Sequence, residues 1–411
     1  MTSKFFNNPL TPQKKAIDII NYYFQKERED DYQARNNAQK ELLKFLIKTK
    51  DGSYTLKSNE FQGKSETMHT SKGAITESLE KFVKPSLLDN KNDIKVLDTC
   101  SGFGYNSAAL IEYLNMEHNT NNKLSMDLIE ISIETLAGGL LVPAPISSHK
   151  LVKKAIEDKL IEEKFASIHL EESKIPSHIK FRFFSDDARI ILKNLKSNYY
   201  DAIFLDPFSP SKSPELYTIE FFKQLKRVIK DNGVLATYTS AAPVRYGLIE
   251  SGFYIGEGPV FGRKSGGTIA SLTSKNILND ISSNDERMIA LSDSGIPFRD
   301  PTLNLSGEEI LKNRIIERKN ARGQYKFSSV VKAPIFLGED LLMDKLGRRV
   351  LRNINKLNIE HSKSEKAFYL VCPQNDKCIC GCNQPKATNS RDRINIMIKR
   401  LSKLLEHNIF L

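Results

Sequence analysis

Val96-Leu97-Asp98-Thr99-Cys100-Ser101-Gly102-Phe103-Gly104-Tyr105-Asn106 is the stretch on which the fold turns. A short apolar run, an acid and two glycines lead into a helical pattern over 107–114. Glycines at such a turn let the backbone reverse sharply and approach a ligand closely. The helix behind them offers free N–H groups and a positive dipole end to an anion, such as an amino-acid carboxylate. G-x-G alone is common by chance, and then describes only a tight strand-to-helix turn.

Working outward, short apolar runs alternate with helical segments from Ile94 to about Ser271. The runs are 95–97, 124–129, 179–184, 202–205, 233–238 and 254–256; the helical segments are 107–114, 132–140, 188–195 and 220–229. Strands alternating with helices give an α/β fold with a parallel, doubly wound sheet. Ligands of such sheets sit at the carboxyl ends of the strands. The loops after Leu97, Ile129, Phe184 and Leu205 are therefore where chemistry is expected. Glu130, ending the second run, is placed to accept hydrogen bonds from both hydroxyls of a ribose. Asp187, in Ser185-Asp186-Asp187-Ala188, is placed to accept one from an adenine amino group. A dinucleotide enzyme competes, but no complete G-x-G-x-x-G follows a strand, and no second nucleotide half is visible.

The fourth loop reads Leu205-Asp206-Pro207-Phe208-Ser209-Pro210. Asp206 ends a strongly apolar strand, and two prolines stiffen the loop behind it. A carboxylate there can hold an incoming amine and take its proton; the alternative is a structural strand cap. Phe208 walls the pocket, and Tyr238 and Ser240 are candidates to line the acceptor side. Gly262-Arg263-Lys264 is a basic loop suited to phosphate. Arg245, Arg263 and Lys264 equally well form a solvated basic face.

Several motifs stand in one order: Met68-His69-Thr70-Ser71-Lys72-Gly73-Ala74-Ile75-Thr76-Glu77-Ser78, Gly102-Phe103-Gly104-Tyr105-Asn106, Asp187-Ala188-Arg189, the Asp206 motif with Ser213-Pro214-Glu215-Leu216-Tyr217, and Thr237-Tyr238-Thr239-Ser240-Ala241 with Val244-Arg245. Over about 66–270 the chain resembles the MnmC-like methyltransferases, the methyltransferase half of a bifunctional enzyme of tRNA wobble-uridine modification. The resemblance implies a class I, Rossmann-like methyltransferase fold with S-adenosylmethionine as donor. It implies the primary amine of an aminomethyl-uridine in tRNA as acceptor. By motif matching, Asp98, Gly102, Gly104 and Asn106 belong to the donor loop, Glu130 binds ribose, and Asp187 binds adenine. Asp206 faces the amine, and Glu77 lies near donor or acceptor. The chain departs from the family at Cys100-Ser101, where Gly-Phe is common, so the first turn of the loop must differ. The family's fused oxidase half is not expected here, since the remaining residues carry no dinucleotide fingerprint.

The 411 residues carry a formal net charge of +11, which suits a polyanion such as RNA without requiring one. No apolar stretch is long enough to span a membrane, and residues 1–21 lack a signal-peptide run, so no membrane partner and a cytoplasmic location are expected. The chain is read as an N-terminal helical and hairpin extension (1–65), the methyltransferase domain (66–271), a connecting helical segment (272–345) and a basic C-terminal region (346–411). Residues 272–300 look like a polar connection, and Ser306 with Glu309 marks a capped helix running to about Arg322. Cys372, Cys378, Cys380 and Cys382 crowd into eleven positions, which suits zinc or an iron–sulfur cluster. With Arg391, Arg393, Lys399 and Arg400 just after them, they suggest a metal-stapled tail that docks tRNA. Two other functions compete: an aminopropyl- or methyltransferase acting on a small polyamine, and a non-catalytic protein that binds tRNA or metal.

Overall fold

The computed structural model describes residues 11–60, 63–118, 122–262 and 265–406. Helices α1 (Lys14–Arg28) and α2 (Ala34–Leu42) form where apolar residues recur at helical spacing; Ala16, Ile20, Phe24, Ala34, Ala38 and Leu42 are buried. A short antiparallel ladder, β1 (Ile47–Lys48) with β2 (Tyr54–Thr55), spans the Asp51-Gly52 turn. Helix α3 (Ala74–Ser78) runs on through a π turn at Leu79–Val83.

The main sheet has seven strands: β3 (Asp93–Thr99), β4 (Lys123–Ile129), β5 (Ile179–Phe184), β6 (Tyr200–Leu205), β7 (Ile229–Thr237), β8 (Tyr254–Glu257) and β9 (Thr268–Ser271). Their order is β5-β4-β3-β6-β7-β9-β8. The first five are parallel, and β9 runs antiparallel to both β7 and β8. The chain reverses its winding direction between β3 and β6, so a crevice opens at their carboxyl ends. This is the parallel, doubly wound sheet expected from the alternating runs, with an antiparallel pair added at one edge.

Side chains alternate across the strands and feed two cores. On one face Val96, Phe204 and Ala236 pack with α1, α2 and helices α4 (Tyr105–His118), α5 (Ile133–Leu141) and α6 (Ser147–Glu162). On the other, Leu97, Ile203 and Leu235 pack with α7 (Ala188–Asn194), α8 (Ile219–Val228) and α9 (Ala242–Glu250). That second core continues without a break into α10 (Ser283–Leu291), α11 (Gly307–Ala321), α12 (Lys345–Asn355), α13 (Glu365–Val371) and α14 (Ser390–Glu406). The Ser306–Glu309 capping box is present at the start of α11.

Residues 272–300 are more than a polar connection, because α10 lies inside them. Its polar appearance has a cause: Glu286 is buried against Arg393, and Arg287 donates to the Ile335 and Leu337 carbonyls. Charged side chains that are consumed internally hide an amphipathic pattern. The charged stretch from the end of α1 into the start of α2 behaves the same way. Arg35 donates to both oxygens of Glu27 at 2.6 and 2.9 Å and also pairs with Glu157 of α6; all three are buried.

Candidate active site

A cavity of about 730 Å³ lies at the carboxyl edge of the sheet, where the crevice was expected. Its floor comes from the loops after β3, β4, β5 and β6, through Cys100–Gly102, Glu130, Asp187 and Asp206. The volume falls in the upper half of the range of small-molecule sites.

The first loop is held from within. Gly102 N–H donates to Glu130 Oε2 at 3.1 Å, and Ser132 N–H donates to Glu130 Oε1 at 3.1 Å. Cys100 has φ +65°, a left-handed conformation that costs a non-glycine residue roughly 1–2 kcal/mol. Burial, with Glu130 nearby, pushes the Cys100 thiol well above its ordinary range. Gly104 does not face the cavity. At φ +80° a Cβ there would lie 2.5 Å from Val152 of α6. Gly104→Ala is therefore expected to lower stability by about 1–3 kcal/mol, read from the urea midpoint; an unchanged midpoint would show that α6 yields freely.

Asp98 lies beneath the loop rather than in the cavity, fully buried, and accepts from Asn106 Nδ2 (3.2 Å) and Ser107 Oγ (3.1 Å). The same Asn106 Nδ2 donates to Asp206 Oδ2 at 3.2 Å. One amide thus bridges two carboxylates. Burial raises Asp98 to about 7, against those hydrogen bonds, and raises Glu130 to about 6. Asp206 is pushed well above the ordinary carboxylate range, by burial first and by the charge of Glu77 second. Glu77 itself does not line the cavity. It accepts from Thr70 N–H at 3.0 Å and pairs with Lys81 Nζ at 3.4 Å, setting the field around Asp206 from behind.

Asp187 lines the cavity, but its carboxylate also caps α7 and grips Arg189. Arg189 reaches on to Asp300 Oδ2 (2.9 Å) and the Leu305 carbonyl (2.8 Å), which ties the α11 approach to the third loop of the floor. Phe208 and Tyr238 line the cavity; Ser240 does not, and its hydroxyl pairs with Ser265 at 3.0 Å. Arg263 and Lys264 lie outside the described residues. Arg245 is no solvated face: it is fully buried, pairing with Glu257 and Asp285 and donating to Thr268 Oγ1. The basic tail is likewise occupied. Arg391 stacks on Tyr254, Arg393 pairs with Glu286 and Asp280, and Arg400 stacks on Tyr369.

The sequence did not single out three parts of the wall. Glu215, in a motif quoted above, is raised to about 7 by burial and lines the cavity. His69 lines it too. Thr11 and Asn59 from the N-terminal segment, with 305–308 from the start of α11, complete it. The capping box located that helix start, but no sequence signal placed it beside the loops after β5 and β6.

Comparison with known proteins decides the family. A profile described as S-adenosyl-L-methionine-dependent methyltransferase matches residues 149–273. Uncharacterized protein MJ0670 of Methanocaldococcus jannaschii is 33% identical over 370 residues, covering 88% of this chain and 99% of that one. The tRNA 5-methylaminomethyl-2-thiouridine biosynthesis bifunctional protein MnmC of Ralstonia nicotianae is 47% identical over 85 residues, 21% of this chain and 13% of that protein. The crystal structure of MnmC2 from Aquifex aeolicus matches with a TM-score of 0.53 and 27% identity, covering 75% of this chain and 100% of that one. The chain belongs to the MnmC-like methyltransferases. It is an S-adenosylmethionine-dependent enzyme, and the resemblance read from the motifs is borne out.

The cavity of this MnmC-like methyltransferase fits such a donor on its own chemistry. His69 Nδ1, Ser101 Oγ, Asn106 Oδ1 and Thr135 Oγ1 are buried polar atoms on cavity-lining residues with no hydrogen-bond partner among the described residues. Buried polar atoms left unmatched are costly, so their gathering here points to a polar ligand. The carboxylates around them suit one that carries positive charge. Among the described residues no helix is long and apolar enough to cross a membrane.

Proposed function

We propose that this enzyme methylates the primary amine of an aminomethyl-uridine at the tRNA wobble position. The observation that carries the reading is Asp206: a part-buried carboxylate just after β6, lining the cavity, joined through Asn106 to the donor loop and raised in pKa by desolvation and Glu77. When bound, S-adenosylmethionine supplies an electrophilic methyl group to an attacking nitrogen. Glu130 holds its ribose hydroxyls, Asp187 faces its adenine amino group, and Gly102 with Asn106 meets the methionyl end. A primary amine arrives as ammonium and must lose a proton to become a nucleophile. Asp206 first draws that cation in and then accepts the proton, a task suited to a carboxylate of raised pKa. Phe208 and Tyr238 restrict the amine to one line of approach, and such orientation supplies much of the rate.

An RNA acceptor is supported by the surroundings. Exposed Lys57, Lys64 and Lys72 flank the cavity-lining stretch 66–69, where they can meet phosphates. A second reading has its own support. Glu60, Glu66, Glu215 and Glu308 add acids to the cavity wall, which also suits a polyamine. Incubation with labelled S-adenosylmethionine, bulk tRNA from a strain lacking this protein, and polyamines separates the two. Label is expected in RNA; label in polyamine alone would overturn the tRNA reading.

Glu130→Ala is expected to weaken S-adenosylmethionine binding by roughly tenfold to a hundredfold, the equivalent of about 1.5–3 kcal/mol for hydrogen bonds to a charged group. Isothermal calorimetry measures it, and unchanged affinity would remove Glu130 from the donor site.

A further inference from the structure

We propose that Cys372, Cys378, Cys380 and Cys382 hold one tetrahedral zinc ion, which fastens the loop between α13 and α14. Cys372 follows α13 directly and opens a 3-10 turn, Cys372–Gln374. The other three alternate along a bend that Gly381 (φ 75°) and Asn383 (φ 48°) close. The Sγ atoms of Cys378 and Cys372 are 3.9 Å apart, those of Cys378 and Cys380 4.0 Å, and those of Cys378 and Cys382 3.8 Å. All four sulfurs lie within 4.8 Å of one another. With zinc–sulfur bonds of about 2.3 Å, a tetrahedron has edges of about 3.8 Å. A disulfide would need about 2.05 Å. In a four-iron cluster each cysteine binds its own iron, which spreads the sulfurs wider than this. The spacing therefore selects a single ion over a cluster.

Two further features belong to such a site. Arg400 points Nη2 at Cys382 Sγ (3.2 Å) and Nη1 at Cys380 Sγ (3.8 Å), while Asn383 N–H donates to Cys378 Sγ at 3.3 Å. Four thiolates around a divalent ion leave a net negative charge, and a buried guanidinium with a backbone N–H offsets it; outer partners of this kind orient metal ligands. In addition, no residue from 375 to 386 is buried. Such a loop has no apolar anchor to offset the entropy of ordering it, and a metal supplies that anchor. Four protein ligands leave no open position, so the role is structural. None of the four cysteines lines the active-site cavity.

The test uses the full chain, purified without added metal. Elemental analysis is expected to give one zinc per chain, with the four thiols unreactive to a disulfide reagent until a chelator removes the ion. Cys380→Ser is expected to lose the zinc and lower the thermal midpoint while S-adenosylmethionine binding persists. Metal-free protein with four reactive thiols would overturn the proposal. So would a paired disulfide, or iron accompanied by inorganic sulfide. Because the first measurement is made on the parent protein, a variant that fails to fold leaves the decision intact.

Discussion

Asp206→Asn is expected to slow methyl transfer by about 10²- to 10⁴-fold, the usual worth of a positioned general base. S-adenosylmethionine affinity should stay within a few-fold of the parent. The amide keeps the size of the side chain and its contact with Asn106, but it can neither carry negative charge nor accept the amine's proton. The pH profile separates this from a loss of positioning. The Asp206 pKa is raised by burial and Glu77, so its protonated form persists above the ordinary carboxylate range and the competent anion appears only as pH rises. In the parent, kcat/KM should climb with pH through that range. In the variant this limb should vanish, leaving the titration of the amine itself. Equal loss of donor binding and transfer would make Asp206 a donor-binding residue or a strand cap.

Arg35→Met should destabilise the fold by about 3–5 kcal/mol, because removing one partner of a buried ion pair strands the other. Here two carboxylates lose that guanidinium, Glu27 and Glu157, which are 1% and 0% exposed, and Glu27 is left with no paired cation among the described residues. Glu27 keeps the backbone amides of Ser167 and Ile168 at 2.8 and 3.0 Å, and Glu157 keeps the Leu170 amide at 2.7 Å and Lys154 Nζ at 3.3 Å. The network thus ties α1, α2, α6 and the segment after α6 together. Burial raises Glu157, but the Leu170 amide and Arg35 outweigh it and hold the carboxyl below its ordinary range. A lowered carboxylate contributes stability above its unfolded pKa and loses it as pH falls through the folded one. The acid-side loss assigned to Glu157 should therefore shrink in the variant. Urea unfolding measures the effect; a midpoint shift worth under 1 kcal/mol would mean water reaches the freed carboxylates. Apolar replacement of all three charged residues should recover most of the loss.

The parallel strands were legible because each is a short apolar run bounded by turn residues, and the expected limits for 179–184 match β5. The floor of the cavity was legible for the same reason: a doubly wound sheet places Glu130, Asp187 and Asp206 at one edge without any knowledge of packing. What stayed hidden depends on distant partners. Arg245 read as a solvated basic face and Arg393 as part of a tRNA-docking tail because sequence does not show which carboxylates, Glu257 and Asp285 or Glu286 and Asp280, meet them. Gly104 read as a ligand contact because a left-handed glycine looks the same in sequence whether it faces a ligand or Val152. Asp98 read likewise, since burial beneath a loop leaves no trace in spacing. Nothing in 305–308 announced that the start of α11 would meet the loops after β5 and β6.

The central claim is transfer of one methyl group to an aminomethyl-uridine amine. The most direct measurement is nucleoside mass spectrometry of tRNA bearing 5-aminomethyl-uridine at the wobble position, incubated with the enzyme and S-adenosylmethionine. The account predicts that this nucleoside alone gains a single methyl group on its side-chain nitrogen, and that Asp206→Asn abolishes the product. An unmodified wobble nucleoside, or methyl at another position, would contradict it.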